Sequence, residues 1–157
     1  MGVIDDNLAR AGLVIPTPAA PVANYVPAVL TGSLLVVSGQ LCFQDGKLDP
    51  AHCGKLGEDV SIENGQAAAR LCAVNLLAQA KAALDGDLDR VKRVVRLGGF
   101  INSAPDFNAL PQVMNGASDL MVAAFGDAGR HARTTVGVAQ LPMDCAVEVE
   151  AMFEVVR

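Results

Sequence analysis

Tryptophan is absent from this 157-residue chain, and aromatic residues make up only 4%. Stacking platforms for single-stranded bases are therefore scarce. Charged side chains are also few, at 18% against a hydrophobic share of 52%. Intrinsic disorder requires the opposite balance and is excluded. Positive charge is the scarcer sign: 12 Lys and Arg stand against 17 Asp and Glu, a net charge of −5. The basic footprint of a nucleic-acid binder is missing. Despite a mean hydropathy of +0.35, no uninterrupted apolar run approaches the roughly 18 residues of a membrane span.

Several chemical signatures are missing too. There is no phosphate-cradling glycine loop, no GxSxG and no HExxH. The four cysteines, Cys42, Cys53, Cys72 and Cys145, form no CxxC and match no zinc spacing. His52 adjoins Cys53, with Cys42 ten positions earlier. Without a spacing signature this trio reads as thiols of a reducing compartment rather than a metal site. His52 and His131 lie in loop-like contexts and read as solvated residues. The N-terminus lacks a basic n-region and a long apolar h-region, so a cytoplasmic location is expected.

What remains is enough for one domain, 1–157, with a short N-terminal extension over about 1–24. Its excess of apolar surface calls for cover by identical partners, so a homo-oligomer is expected. In the extension, Asp6 or Asn7 is placed to cap a short helix through Leu8–Ala11, stopped by Gly12. Pro16, Pro18 and Pro21 then enforce an extended segment.

Leu34–Val37 reads as a buried strand running into Ser38-Gly39-Gln40, with Leu41–Phe43 as its continuation and Asp45-Gly46 as a turn. Ile62–Leu84 is the clearest helix, capped by Asp59 or Ser61, with Glu63 in its first turn and Asp85-Gly86-Asp87 at its end. Its apolar residues nearly circle the axis, which predicts burial by more than one neighbour. Val91–Ile101 reads as a strand with Val91, Val95, Leu97 and Ile101 on one face. Gly98-Gly99 inside it suggests a bulge or a close backbone approach.

A second helix is expected from about Phe107 or Ala109 to Phe125, with Pro111 in its first turn and Gly126 ending it. Gly116 is an odd residue within it. Thr134–Gln140 and Ala146–Val156 read as strands around a Leu141–Asp144 turn. Val147, Val149, Ala151, Phe153 and Val155 form one face of the last strand, and Glu148, Glu150, Met152 and Glu154 the other. The order β-β-α-β-α-β-β fits an α+β fold, one mixed sheet with two long helices packed on one face.

If the last two strands pair as a hairpin, Arg133 lies near the level of Glu148 or Glu150. A guanidinium and a carboxylate so placed make either a structural ion pair or a substrate clamp beside a proton-transfer group. Spacing does not choose between them.

Four segments occur in order: Tyr25-Val26-Pro27, Leu35–Gln40 with its Ser-Gly-Gln end, Ala132–Pro142 with Ala-Arg-Thr and Leu-Pro, and Glu148-Val149-Glu150-Ala151. From Tyr25 to Val156 the chain resembles the reactive intermediate deaminase family, also called RidA or YjgF-like. The resemblance implies a chorismate-mutase-like α+β fold of ferredoxin-like topology. It also implies a homotrimer with ligand clefts between subunits, and no cofactor. Family members hydrolyse enamines and imines, such as 2-aminoacrylate and 2-iminobutanoate, to 2-keto acids and ammonia.

On that resemblance, Arg133 matches the arginine that holds the substrate carboxylate, and Glu148 the acid beside the attacking water. Tyr25, Ser38 and Gly39 match cleft-lining positions, and Asn115 a residue contributed by the neighbouring subunit. Thr135 stands where the best-studied members often carry Cys, and its hydroxyl can still bond a ligand. The N-terminal extension and the Cys42–Asp59 segment are longer than in compact deaminases, as in a subgroup labelled endoribonucleases, and that segment is a candidate to reshape the cleft entrance. A non-enzymatic trimer binding keto acids is the second reading, and RNA cleavage the third. Neither a metal nor a membrane or nucleic-acid partner is expected.

Overall fold

The computed structural model describes residues 2–18, 20–21 and 23–157. Met1, Ala19 and Val22, all in the expected N-terminal extension, lie outside the described residues. Eight principal elements follow in order: α1 (Val3–Arg10), β1 (Ala28–Thr31), β2 (Leu34–Gln40), α2 (Ile62–Ala83), β3 (Val91–Asn102), α3 (Leu110–Phe125), β4 (Ala132–Val138) and β5 (Val147–Val155). The strands form one mixed sheet in the order β1-β2-β5-β3-β4. Helices α2 and α3 pack on each other and on one face of that sheet. This is the expected α+β arrangement, preceded by α1.

The long helices begin and end where their sequences dictate. Ser61 accepts a hydrogen bond from the Asn64 amide and caps α2, with Glu63 in the first turn. Asp59 instead receives the Lys55 amide at 3.3 Å. Asp85 and Gly86 stop the helix with φ of 55° and 89°. Pro111 sits in the first turn of α3, and Gly126, at φ 61°, ends it. Gly116 has a packing reason: a Cβ there would overlap the Gln66 carbonyl of α2, so the absent side chain sets how closely the two helices approach. Between them and the sheet lies the core, with Leu76, Leu77, Met114 and Leu120 over Leu35, Leu97, Ile101, Val149 and Phe153.

The N-terminal helix starts earlier than expected. Neither Asp6 nor Asn7 caps it. The amides of Val3 and Ile4 donate to the Asp89 carboxylate at 2.8 and 2.9 Å, so the cap comes from the turn before β3. Leu8 is buried, and Asp5 pairs with Lys81 of α2 at 2.7 Å. These contacts tie the helix to the domain. The expected continuation of β2 through Leu41–Phe43 does not form. Asn75 of α2 donates to both the Leu41 and Phe43 carbonyls at 2.9 Å, which draws the chain out of the sheet.

Two register shifts in the β3–β5 pairing, between Val91 and Arg93 and between Val94 and Arg96, break the period-2 pattern. Val94, not Val95, therefore faces the core. The Gly98-Gly99 pair is regular, with neither a bulge nor a close backbone beside it. The space a Cβ would fill is taken by the side chains of Glu150 and Met114, at 2.7 and 2.5 Å from the ideal Cβ positions.

β4 and β5 do not form the hairpin that would have set Arg133 level with Glu148 or Glu150. β4 pairs in parallel with β3, and β3 pairs antiparallel with β5, so β3 lies between them. The Leu141–Cys145 segment crosses the end of β3, where the Asn102 amide donates to the Ala146 carbonyl at 2.9 Å. The Cys42–Asp59 segment packs at this same end. Gly54 donates to the Asp144 carbonyl and Leu56 to the Asn102 carbonyl. Lys55 reaches both Asn102, at 2.8 Å, and the Ala139 carbonyl.

Among the described residues no helix covers the other sheet face. Exposed Val29, Leu34 and Val136 and half-buried Val36, Phe100 and Met152 share it with the acidic row of β5. Among the described residues no helix is long and apolar enough to cross a membrane.

Candidate active site

Arg133 is level with Leu97 of β3, which is level with Ala151 of β5. Directly paired residues share a face, so Arg133 points to the helix side. There its Nη1 donates to Asn115 Oδ1 at 2.9 Å and to Ser118 Oγ at 3.1 Å. Both partners are neutral oxygens on α3, three residues apart and therefore adjacent on one helix face. The guanidinium is held in place without being neutralised, and no carboxylate pairs with it among the described residues. Thr135, two residues along the same strand face, buries an Oγ1 that has no hydrogen-bond partner among the described residues.

Ser118 also contacts His131. Its Oγ lies 2.9 Å from Nε2, while Nδ1 lies 2.7 Å from the Gly129 carbonyl. The histidine is half-buried, not a solvated loop residue. Burial first, and the Arg133 charge after it, lower its pKa against the opposing pull of the Gly129 bond. Sequence reasoning missed both Ser118 and His131. Each carried a signal: Ser118 follows Asn115 by three residues on a helix, and His131 immediately precedes the strand that carries Arg133. His52 is likewise buried, with Nδ1 unpartnered among the described residues.

Glu148 is level with Phe100 and Val136 and projects from the open face. It is half-buried, and no hydrogen bond or ion pair engages it among the described residues. Desolvation raises its pKa, and neighbouring Glu150 adds to the rise. Glu150 itself pairs with Arg96 at 3.2 Å. Gly39 lies against Glu148, and a Cβ on it would fall 2.5 Å from Oε1. A larger residue there would require the Glu148 carboxylate to shift. Ser38 donates its hydroxyl to the Pro27 carbonyl at 3.1 Å. Tyr25 is 55% exposed; with Ala23, Asn24, Val26 and Val29 it lines a shallow depression.

Two separate groups result. Arg133, Asn115 and Thr135 lie on the helix side at the edge strand. Glu148 and Gly39 lie across the sheet. Four cysteines are free, and no cluster of three metal-ligating side chains occurs among the described residues.

This fold and this pair of groups define an α+β protein with an arginine on a sheet edge and a carboxylate on the open face, neither in an ion pair among the described residues. Residues 5–155 match the family described as "YjgF/chorismate_mutase-like, putative endoribonuclease". The chain therefore belongs to the YjgF/RidA family. It is similar to Protein TCP17 of Trypanosoma cruzi, with 52% identity over 98% of this chain and 94% of that one. Its fold superimposes on that of Atu1372 from Agrobacterium tumefaciens with a TM-score of 0.91 and 47% identity, covering 98% of this chain and 93% of that one. A 2-iminobutanoate/2-iminopropanoate deaminase of Dermatophagoides farinae is 27% identical over 88% of this chain and 93% of its own length.

Proposed function

We propose that this protein is a cytoplasmic hydrolase that deaminates short 2-imino and enamine acids to 2-keto acids and ammonia, working as a homotrimer and needing no cofactor. The observation that carries the reading is the Arg133 guanidinium, held by Asn115 and Ser118 while its charge stays unpaired. A planar fork of this kind suits a carboxylate. Thr135 Oγ1 supplies a further polar group beside it.

The second role falls to Glu148. Its raised pKa brings a carboxylate toward the range useful for proton transfer. In this mechanism Glu148 orients a water, takes its proton as the oxygen attacks the iminium carbon, and returns it to the departing amine. Ammonia and the keto acid result. A small imino acid cannot reach from one sheet face to the other through the sheet. Arg133 of one copy must then meet Glu148 of a second, which is why the reading requires an oligomer. The uncovered apolar sheet face supports that assembly. The acidic row Glu148, Glu150 and Glu154 on the same face disfavours a polyanionic RNA substrate.

The test generates 2-iminobutanoate or 2-iminopropanoate in place with an amino-acid oxidase and follows its disappearance by semicarbazide trapping. Wild type accelerates clearance and Arg133→Ala does not. If wild type leaves both imines untouched yet binds the corresponding keto acids, the protein is a carboxylate-binding module and the hydrolase reading falls.

A further inference from the structure

We propose that His131 and Ser118 are positioning residues that set the Arg133 guanidinium and couple carboxylate capture there to proton uptake on the imidazole. The proposal rests on the reading of Arg133 as a carboxylate clamp.

The direction of every hydrogen in the chain follows from its partners. The Gly129 carbonyl can only accept, so Nδ1, 2.7 Å away, carries the proton of the neutral ring. Nε2 is then an acceptor, and Ser118, at 2.9 Å, must donate its hydroxyl to it. The serine oxygen is left with lone pairs only, one of which receives Arg133 Nη1 at 3.1 Å. Asn115 Oδ1 receives the same nitrogen at 2.9 Å. The guanidinium is thus gripped by two oxygens whose orientation is decided by the histidine.

Protonating the ring reverses one link. Nε2 becomes a donor, the serine hydroxyl hydrogen must turn away, and Ser118 Oγ accepts from two cations at once. That state is unfavourable while Arg133 holds no anion. A carboxylate on Arg133 offsets the second charge, so binding raises the affinity of His131 for its proton. Reciprocally, a falling pH tightens carboxylate binding. The surrounding charges do not supply an alternative. Besides Arg133 on the adjoining strand β4, the elements around the ring carry Arg93 and Arg96 on β3, Asp119 on α3 and Asp127 in the 126–129 turn. Arg93 bonds the Arg130 carbonyl, Arg96 pairs with Glu150 and Asp127 with Arg130. Of these charges Arg133 is the one that shares a hydrogen-bonding partner, Ser118 Oγ, with the ring.

The experiment measures pyruvate binding by calorimetry from pH 5.5 to 8, with nitrogen NMR of the His131 ring in parallel. Wild type is expected to bind about fivefold or more tightly at pH 5.5 than at pH 8, and saturating pyruvate to raise the ring's titration midpoint. His131→Gln, whose amide oxygen still accepts from Ser118, should keep most of the pH 8 affinity and lose the pH step. His131→Leu should bind weakly throughout. An unchanged pH step in His131→Gln, or a ring midpoint that pyruvate does not move although Arg133→Ala weakens binding at least tenfold, overturns the coupling. Pyruvate binding that Arg133→Ala leaves undiminished overturns the clamp reading itself, and the coupling with it. A downward or absent shift of the ring midpoint in Arg133→Ala would separately show that the relay is not formed.

Discussion

Arg133 and Glu148 are separated by a single strand, β3, yet project to opposite faces of the sheet. Arg133 shares its level with Leu97, on the helix side, and Glu148 shares its level with Phe100, on the open side. No side-chain rotation brings them together within one chain. The proposed reaction, which uses both, therefore calls for two copies of the chain.

Arg133→Ala should weaken keto-acid binding about ten- to a hundredfold, the effect of losing charge-assisted hydrogen bonds worth about 1.5–3 kcal/mol. Asn115 is exposed and Ser118 half-buried, so water can replace the lost partner and the melting temperature should change little. Calorimetric binding and a circular-dichroism melt check both halves. A collapsed melt would instead mark Arg133 as structural.

Glu148→Gln should lower kcat by about 10²–10⁴-fold, the usual share of a general acid–base group, with a smaller change in ligand affinity. Equal losses in both would argue against a proton-transfer role. In the wild type the step that needs the carboxylate should fade as pH drops through the raised Glu148 value. Stability moves the other way. Between the unfolded and the raised folded value the native state binds more protons, so stability falls as pH rises through that window. Glu148→Gln should abolish that part of the decline, as melting temperatures on either side of the window would reveal.

Gly116→Ala tests the contact between the long helices. Helix propensity alone favours alanine by about 1 kcal/mol. The Cβ would nevertheless overlap the Gln66 carbonyl, a backbone atom that cannot swing aside. A net destabilisation of about 1–3 kcal/mol is expected, as for other overpacked sites. A denaturant midpoint at or above the wild-type value would show that α2 and α3 can separate freely.

Leu8→Ala tests whether the N-terminal helix belongs to the domain. Leu8 is 1% exposed and joins the main core, so truncation should cost about 2–5 kcal/mol. The loss should appear in the global unfolding transition. A separate early transition would make α1 an independent appendage.

Much of the fold was legible in short stretches. The ends of α2 and α3 rest on Ser61, Glu63, Pro111, Gly126 and the Asp85-Gly86 pair, whose effects act within a turn of chain. The alternation of β5 survives because both of its neighbours pair with it over most of its length. Where tertiary contacts intervene, local pattern fails. Asp89 caps α1 from more than eighty residues away, Asn75 lifts Leu41–Phe43 out of the sheet, and the shifts in β3 exchange Val95 for Val94 at the core.

The sequence by itself determined the α+β class, the two long helices, the family-like segments and the residue types available for carboxylate binding and proton transfer. Tertiary structure decided their relation. Inserting β3 between β4 and β5 turned an expected hairpin neighbourhood into two groups on opposite faces, and packing α3 against the edge strand joined Arg133 to Asn115, Ser118 and His131. Strand order and the docking of helices depend on contacts between residues far apart in the chain. Periodicity fixes only which residues share a face within one element, not which elements become neighbours.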